Sequence, residues 1–296
     1  MPELPEVETV VRGLRPALEG KRLTRVELRR PDLRFPFPEG FAERLRGRTV
    51  TEVVRRAKYI LIRLDSGETW LAHLGMSGRF TVTPGRSEGA TASAGQAGHN
   101  SGWALAEKHD HVLVEAEDGG RIIYNDTRRF GFMDLIAPGG EADSPHLRAL
   151  GPEPLSADFT PEYLAGALRG KRTPIKAALL DQRVVAGIGN IYACEALWRA
   201  GISPRRSAHT IAGGRAERLV GAVCDVLTEA IEAGGSSLRD YVQTDGELGY
   251  FQHRWAVYDQ AGETCAKCVE AGIEDCRISR IVQSGRSTFY CSRQQR

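Results

Sequence analysis

Lysine is scarce in this chain. Only six of the 40 basic residues are lysine, at positions 21, 58, 108, 171, 176 and 267, and the rest are arginine. Arginine suits bidentate phosphate contacts and stacking, although a GC-rich genome produces the same skew. Either way, each remaining lysine stands out. Long apolar runs are missing too: none approaches the roughly 18 residues that span a bilayer. The N-terminus has no basic segment followed by an apolar stretch, so it does not read as a secretory signal, and a cytoplasmic location is expected. Charge of one sign is also lacking. The formal net charge is only +2, so bulk charge does not point to nucleic acid. What remains is a 296-residue chain, 41% hydrophobic and 26% charged. That is the profile of a globular enzyme or binding protein with room for two cores.

The pattern along the chain divides into stretches. Val7, Val10, Val11, Leu14 and Leu18 recur at helical spacing and predict an amphipathic helix ending near Gly20. From about 21 to 137, β-branched and polar residues alternate between Gly- and Asp-rich turns, predicting a mostly antiparallel sandwich or barrel. Residues 82–106 are small and polar without periodicity and are expected to form a mobile surface insertion. The Pro-, Gly- and acid-rich stretch 138–159 reads as a linker. Beyond it Thr160 can cap a helix that has Pro161 at its first position, and further helical patterns follow at 173–183, 190–200 and 215–233. The expected class is α+β. A β-sandwich domain over 1–137, preceded by its helix, is followed by a helical domain over 160–252 and a cysteine-bearing hairpin over 253–296.

Several short motifs carry chemistry. Cys265 and Cys268 in "CAKC" have zinc-knuckle spacing, and Cys276 and Cys291 follow around a predicted hairpin turning at Ser284-Gly285. In a reducing compartment, four thiols so close together favour structural zinc over disulfides. Cys194 and Cys224 lie in helical patterns and read as ordinary buried cysteines. "GIGNIYACEAL" is a glycine-rich loop running into a helix start, where backbone N–H groups and Asn190 can hold a phosphate. It equally suits a tight helix–helix connection. Lys58 in "RRAKYILIRL" reads as a strand lysine, either partly desolvated with a lowered pKa or snorkelling at an edge. Met76 in "HLGMSG", and Arg128 and Phe130 in "YNDTRRFGF", sit beside turns. There they could protrude to fill the gap left by an extruded base, or they could simply pack a core.

The opening "MPELPEVET" raises a further possibility. If methionine is trimmed, Pro2 becomes a secondary amine with a pKa of roughly 8, against about 10.4 for lysine, able to form an iminium with a sugar carbon. The nine residues alone favour the plainer reading, a permitted small residue at a frayed terminus.

In their order, "PELPEVET", "RRAKY", "HLGMSG", "EKHDH", "RRFG", "GPEPL", "IKAALLDQ", "GIGNIYACEAL", "TDGELGYF" and "GRSTFYC" resemble the bacterial formamidopyrimidine-DNA glycosylase family from Pro2 to Cys291. The resemblance implies a bifunctional glycosylase and abasic-site lyase. Such an enzyme acts as a monomer on oxidised purines in damaged double-stranded DNA, in base excision repair. It implies Pro2 as nucleophile, Glu3 and Lys58 as proton donors, and Arg286 as a phosphate-contacting finger arginine. It implies DNA contacts from His109, Arg128, Lys171 and Asn190, void filling by Met76, Arg128 and Phe130, and closure of loop 234–251 over the flipped base. It also implies one zinc ion. The family usually ends in a second C-x-x-C, whereas position 294 here is glutamine. Cys276 is therefore expected to complete a site with Cys265, Cys268 and Cys291, a three-thiolate or metal-free finger being the alternative. Leu4, where the endonuclease VIII branch for oxidised pyrimidines has glycine, favours the purine branch. A non-catalytic DNA-binding module is the remaining alternative.

Overall fold

A computed structural model describes residues 2–85, 108–236 and 249–296. Most of the 82–106 insertion and the middle of the 234–251 loop lie outside the described residues.

Helix α1 (Leu4–Leu18) opens the chain and buries Val7, Val10, Val11, Leu14 and Leu18 along one stripe. Strand β1 (Leu23–Leu28), the short helix α2 (Phe41–Leu45) and strands β2 (Val50–Arg56), β3 (Tyr59–Leu64), β4 (Thr69–His73), β5 (Arg79–Thr83), β6 (Asp110–Ala116), β7 (Arg121–Asn125) and β8 (Phe132–Ile136) follow. They form two four-stranded antiparallel sheets, ordered β1-β6-β7-β5 and β2-β3-β4-β8. One core, containing Trp70, Phe41, Phe80 and the stripe of α1, fills the space between them. The alternation in the sequence has this cause, since each strand presents one face to a shared core.

Lys58 is not a strand residue. β2 and β3 pair as far as Arg56↔Tyr59, so Ala57 and Lys58 are the two residues of a hairpin turn. Ala57 takes a left-handed conformation, φ 53°. The strand-like composition on both sides concealed a turn that lacks the usual Asn-Gly signal. Glu153 holds this turn from outside. Its carboxylate accepts from Arg55 at 2.5 Å, Arg56 at 2.8 Å and the Ala57 backbone N–H at 2.6 Å. The "RRAKY" and "GPEPL" motifs are thus two halves of one clamp, and part of the expected linker is fastened to the sandwich.

The second half is helical. α3 (Pro161–Leu168) is capped by the Thr160 side chain, which accepts from Tyr163 N–H. α4 covers only Ile175–Leu179, shorter than the periodicity suggests, because the chain leaves the helix at Leu180 and runs through turns to Gly189. α5 (Asn190–Arg199) and α6 (Gly214–Glu232) pack against one another. A short helix α7 (Ala266–Glu270) precedes the hairpin of β9 (Ser279–Gln283) and β10 (Arg286–Tyr290), which turns at Ser284 and Gly285, both at positive φ. Cys194 is buried, while Cys224 is only half-buried and donates to Pro154 O.

The two halves meet at the start of α1. Leu4 belongs to the helical core, whereas Val7 onward belongs to the sandwich core. The Leu4 N–H donates to Gly187 O at 3.1 Å. Gly187 sits at φ +82°, and a Cβ there would lie 2.7 Å from Leu4 Cδ1. A Gly187→Ala variant should therefore combine left-handed strain with overpacking and lose about 2–4 kcal/mol of unfolding free energy. Urea denaturation checks this; an unchanged midpoint would contradict the account of the junction.

Candidate active site

At this junction Glu3, Lys58, Met76, Asn190 and Arg286 line one cavity of about 530 Å3. Each arrives from a different element: the entry to α1, the β2–β3 turn, the β4–β5 connection, the start of α5 and the start of β10. Pro2 is buried immediately before Glu3.

Glu3 is seated by the helix it faces. Its carboxylate accepts from the backbone N–H groups of Ile191, at 3.0 Å, and Tyr192, at 3.4 Å. These are unpaired donors of the first turn of α5, where the helix dipole favours negative charge. The glycine-rich loop read as a phosphate cradle thus holds a side chain of the protein itself. Gly189 is needed there, since a Cβ would fall 2.2 Å from Glu3 Cδ. Beside it, Glu6 accepts from the Glu3 N–H, from Tyr192 Oη and from the Ser236 N–H. The second acid of the opening motif therefore ties the chain start to the entry of the 234–251 loop.

Burial raises the Glu3 carboxyl above the ordinary carboxylate range, opposed chiefly by the Lys58 charge. Burial lowers the Lys58 amine, opposed by the Glu3 and Glu6 carboxylates. The two values are driven towards one another, the arrangement of a carboxyl and an amine that can share proton transfer. Arg286 also depresses Lys58. The finger strand is fixed behind Arg286 by buried Lys176, which donates to Ser287 O at 2.9 Å and Thr288 Oγ1 at 2.6 Å, and by Asn190, which donates to Ser287 O at 3.0 Å.

His73, not singled out in the sequence, also lines this cavity. Its pKa is pushed down to about 4, first by burial and then by Lys58 and Arg34, so it is neutral at pH 7. Its Nδ1 accepts the Gly75 N–H at 3.1 Å, which leaves Nε2–H as a donor. Only its place at the head of "HLGMSG" could have marked it. Arg128 and exposed Phe130 lie on the neighbouring depression, with the guanidinium 4.8 Å from the ring centroid. The His109 carbonyl accepts the Asp126 N–H, two residues before Arg128. Lys171 lies apart from the cavity, past the end of α3, its carbonyl accepting from His209.

The formamidopyrimidine-DNA glycosylase N-terminal domain matches residues 1–133, and the H2TH domain of the same proteins matches residues 150–242. The chain belongs to the formamidopyrimidine-DNA glycosylase family. It is 55% identical to the formamidopyrimidine-DNA glycosylase of Ruegeria pomeroyi over 296 residues, all of both chains. It is 56% identical to that of Rhodospirillum centenum over 306 residues, again covering both chains entirely. The MutM (Fpg) protein of Thermus thermophilus has a similar structure, with TM-score 0.82 at 38% identity, over 99% of this chain and 98% of that one. A complex of Lactococcus lactis Fpg with abasic-site DNA gives TM-score 0.82 at 32% identity and 99% of each chain.

The C-terminal hairpin rests on a buried cysteine cluster. Cys265, Cys268 and Cys291 are buried, with sulfurs all within 4.8 Å of one another. Cys276, also buried, brings its Sγ to 3.2 Å from that of Cys291. A tetrahedral ion with bonds of about 2.3 Å sets sulfurs roughly 3.8 Å apart, so Cys265, Cys268 and Cys291 are compatible with a zinc site. Gln294 reaches the same cluster, its Nε2 3.5 Å from Cys268 Sγ.

The electrostatics yield a signed expectation. Because the Glu3 charge raises Lys58 against burial, Glu3→Gln should lower the Lys58 titration midpoint further. NMR of reductively 13C-methylated protein reads this directly, and a midpoint that stays put or rises would break the proposed coupling.

Proposed function

We propose that this chain is a bifunctional DNA glycosylase and abasic-site lyase of base excision repair, removing oxidised purines such as 8-oxoguanine and formamidopyrimidines from duplex DNA. It acts as a monomer in the cytoplasm; among the described residues no helix is long and apolar enough to cross a membrane. The observation that carries the reading is the buried Glu3–Lys58 pair beside Pro2, facing Arg286 across one cavity. Full-length relatives named for this activity support it.

Removal of Met1 frees the Pro2 nitrogen. It bonds to the deoxyribose C1′ as the glycosidic bond breaks, and the base departs with that electron pair and a proton. Glu3, whose burial favours its protonated form, gives a proton to O4′ as the sugar ring opens to an iminium. The iminium acidifies C2′. Loss of that proton expels the 3′ phosphate, and a further elimination expels the 5′ phosphate. Lys58, with its amine pKa lowered by burial, moves protons during these steps. Arg286 meets the phosphate whose departure each elimination requires. His109, Arg128, Lys171 and Asn190 contact the DNA. Met76, Arg128 and Phe130 fill the gap left by the extruded nucleotide.

Residues 1–137 form the catalytic unit, 138–159 its connection, 160–252 the helical unit and 253–296 the finger. Cys265, Cys268, Cys276 and Cys291 would hold one structural zinc ion, which would fix the base of the hairpin that carries Arg286.

Borohydride added while the protein acts on an oxidised-guanine duplex should trap a covalent protein–DNA adduct. Pro2→Gly, which leaves a primary amine in place of the secondary one, should diminish trapping, and retained methionine in the intact-mass spectrum should abolish it; an undiminished adduct in either case would overturn the nucleophile. Uncut but tightly bound lesion duplex would instead indicate a binding module. For the metal, elemental analysis should give one zinc per chain. Cys276→Ser should lose it and added Gln294→Cys restore it, since position 294 already touches Cys268; undiminished zinc in Cys276→Ser would remove Cys276 from the ligand set.

A further inference from the structure

The proposed wedge residues come from two separate turns. Met76 lies between β4 and β5, and Arg128 and Phe130 lie between β7 and β8. Each turn crosses from one sheet of the sandwich to the other. Strand pairing sets the bases of the two turns side by side, since β4 pairs with β8 as far as His73↔Phe132 and β5 with β7 as far as Arg79↔Asn125. The turn backbones also touch: a Cβ on Gly75 would fall 2.3 Å from Gly131 N and from Phe130 C.

Asp126 is the group that joins them. It is fully buried. One carboxylate oxygen accepts from Ser77 Oγ at 2.6 Å, on the Met76 turn. The other accepts from the Gly131 N–H at 2.8 Å, on the Phe130 turn, and from Tyr124 Oη at 3.2 Å. Ser77 Oγ in turn accepts the Arg128 N–H at 3.0 Å. The Asp126 backbone completes the link, with its N–H donating to His109 O. All three groups facing the carboxylate are neutral donors, and only an acceptor-only side chain with two oxygens satisfies them together. An amide in its place would aim an NH2 group at one of them and leave a buried donor unpaired.

We propose that Asp126 is the positioning residue that makes the two wedge turns one rigid unit, and that it thereby sets the preference for a lesion within a duplex. This rests on the function proposed above. Asp126 touches neither cavity nor substrate and acts only through Met76, Arg128 and Phe130. Prying a base stack open costs free energy, which turn tips free to shift against one another deliver poorly.

The test compares wild type, Asp126→Asn and Ser77→Ala, all full length. One readout is single-turnover excision of an oxidised purine from a duplex carrying 2-aminopurine beside the lesion. The other is borohydride trapping on a single-stranded oligonucleotide that already holds an abasic aldehyde, which needs Pro2 but no wedge. Asp126→Asn should lower duplex excision about ten-fold or more and suppress the 2-aminopurine rise, while trapping falls less than about two-fold. Ser77→Ala, which leaves two donors in place, should fall between. It carries the comparison alone if Asp126→Asn does not fold. Equal losses in both assays would reduce Asp126 to a structural residue and overturn the proposal, as would unchanged excision and fluorescence. If wild type itself neither excises nor traps, the proposed function fails first, a distinct result.

Discussion

The carboxylate of Glu3 on the first turn of α5 is the contact on which the rest depends. It joins residues 188 positions apart and brings the chain start, the sandwich and the helical half to one point. A buried carboxylate needs donors, and α5 offers two that its own backbone cannot use. That contact orients Glu3, holds Pro2 beside it, and places both opposite Lys58. Leu4, packed on Gly187 at the same place, keeps the start of α1 from sliding.

Around this point the structure repeats one device, a carboxylate that gathers donors from segments far apart in sequence. Glu153 gathers the β2–β3 turn and so presents Lys58. Glu6 gathers Tyr192 and Ser236. Glu195, buried in α5, accepts from the N–H groups of Ala256, Val257 and Tyr258. Asp126 does the same for the wedge turns. Each is bound by backbone or hydroxyl donors, and arginine joins them at Glu153. These contacts fix geometry more than they add net charge pairing. Cationic groups left over, Lys58 and Arg286 among them, face the cavity, as suits a site that meets phosphate.

The finger shows a similar economy. Lys176 and Asn190 both donate to Ser287 O, so the strand bearing Arg286 is pinned from the helical half as well as by the cysteine cluster beneath it. Trp198 closes the cluster from α5, its Nε1 3.3 Å from Cys265 Sγ. The cluster is therefore continuous with the helical core and is not an independent appendage.

Local patterning alone determined much of this protein. The α1 stripe, the alternating strands, the Thr160 cap, the Ser284-Gly285 turn and the cysteine spacing are all short-range features, set by propensity and periodicity. The ordered motifs also named Glu3, Lys58, Met76, Asn190 and Arg286, which one cavity gathers. The turn at Ala57-Lys58 escaped notice because a hairpin held by Glu153, 96 residues away, does not need turn-type residues. His73, Glu6 and Asp126 were passed over for the same reason: their importance lies in partners from other strands and helices. Only the packing of two sheets against one helix, and of that helix against α5, decided which buried acid meets which donor. Side-chain burial and long-range hydrogen bonding are properties of that packing, and no window of sequence contains both ends of such a contact.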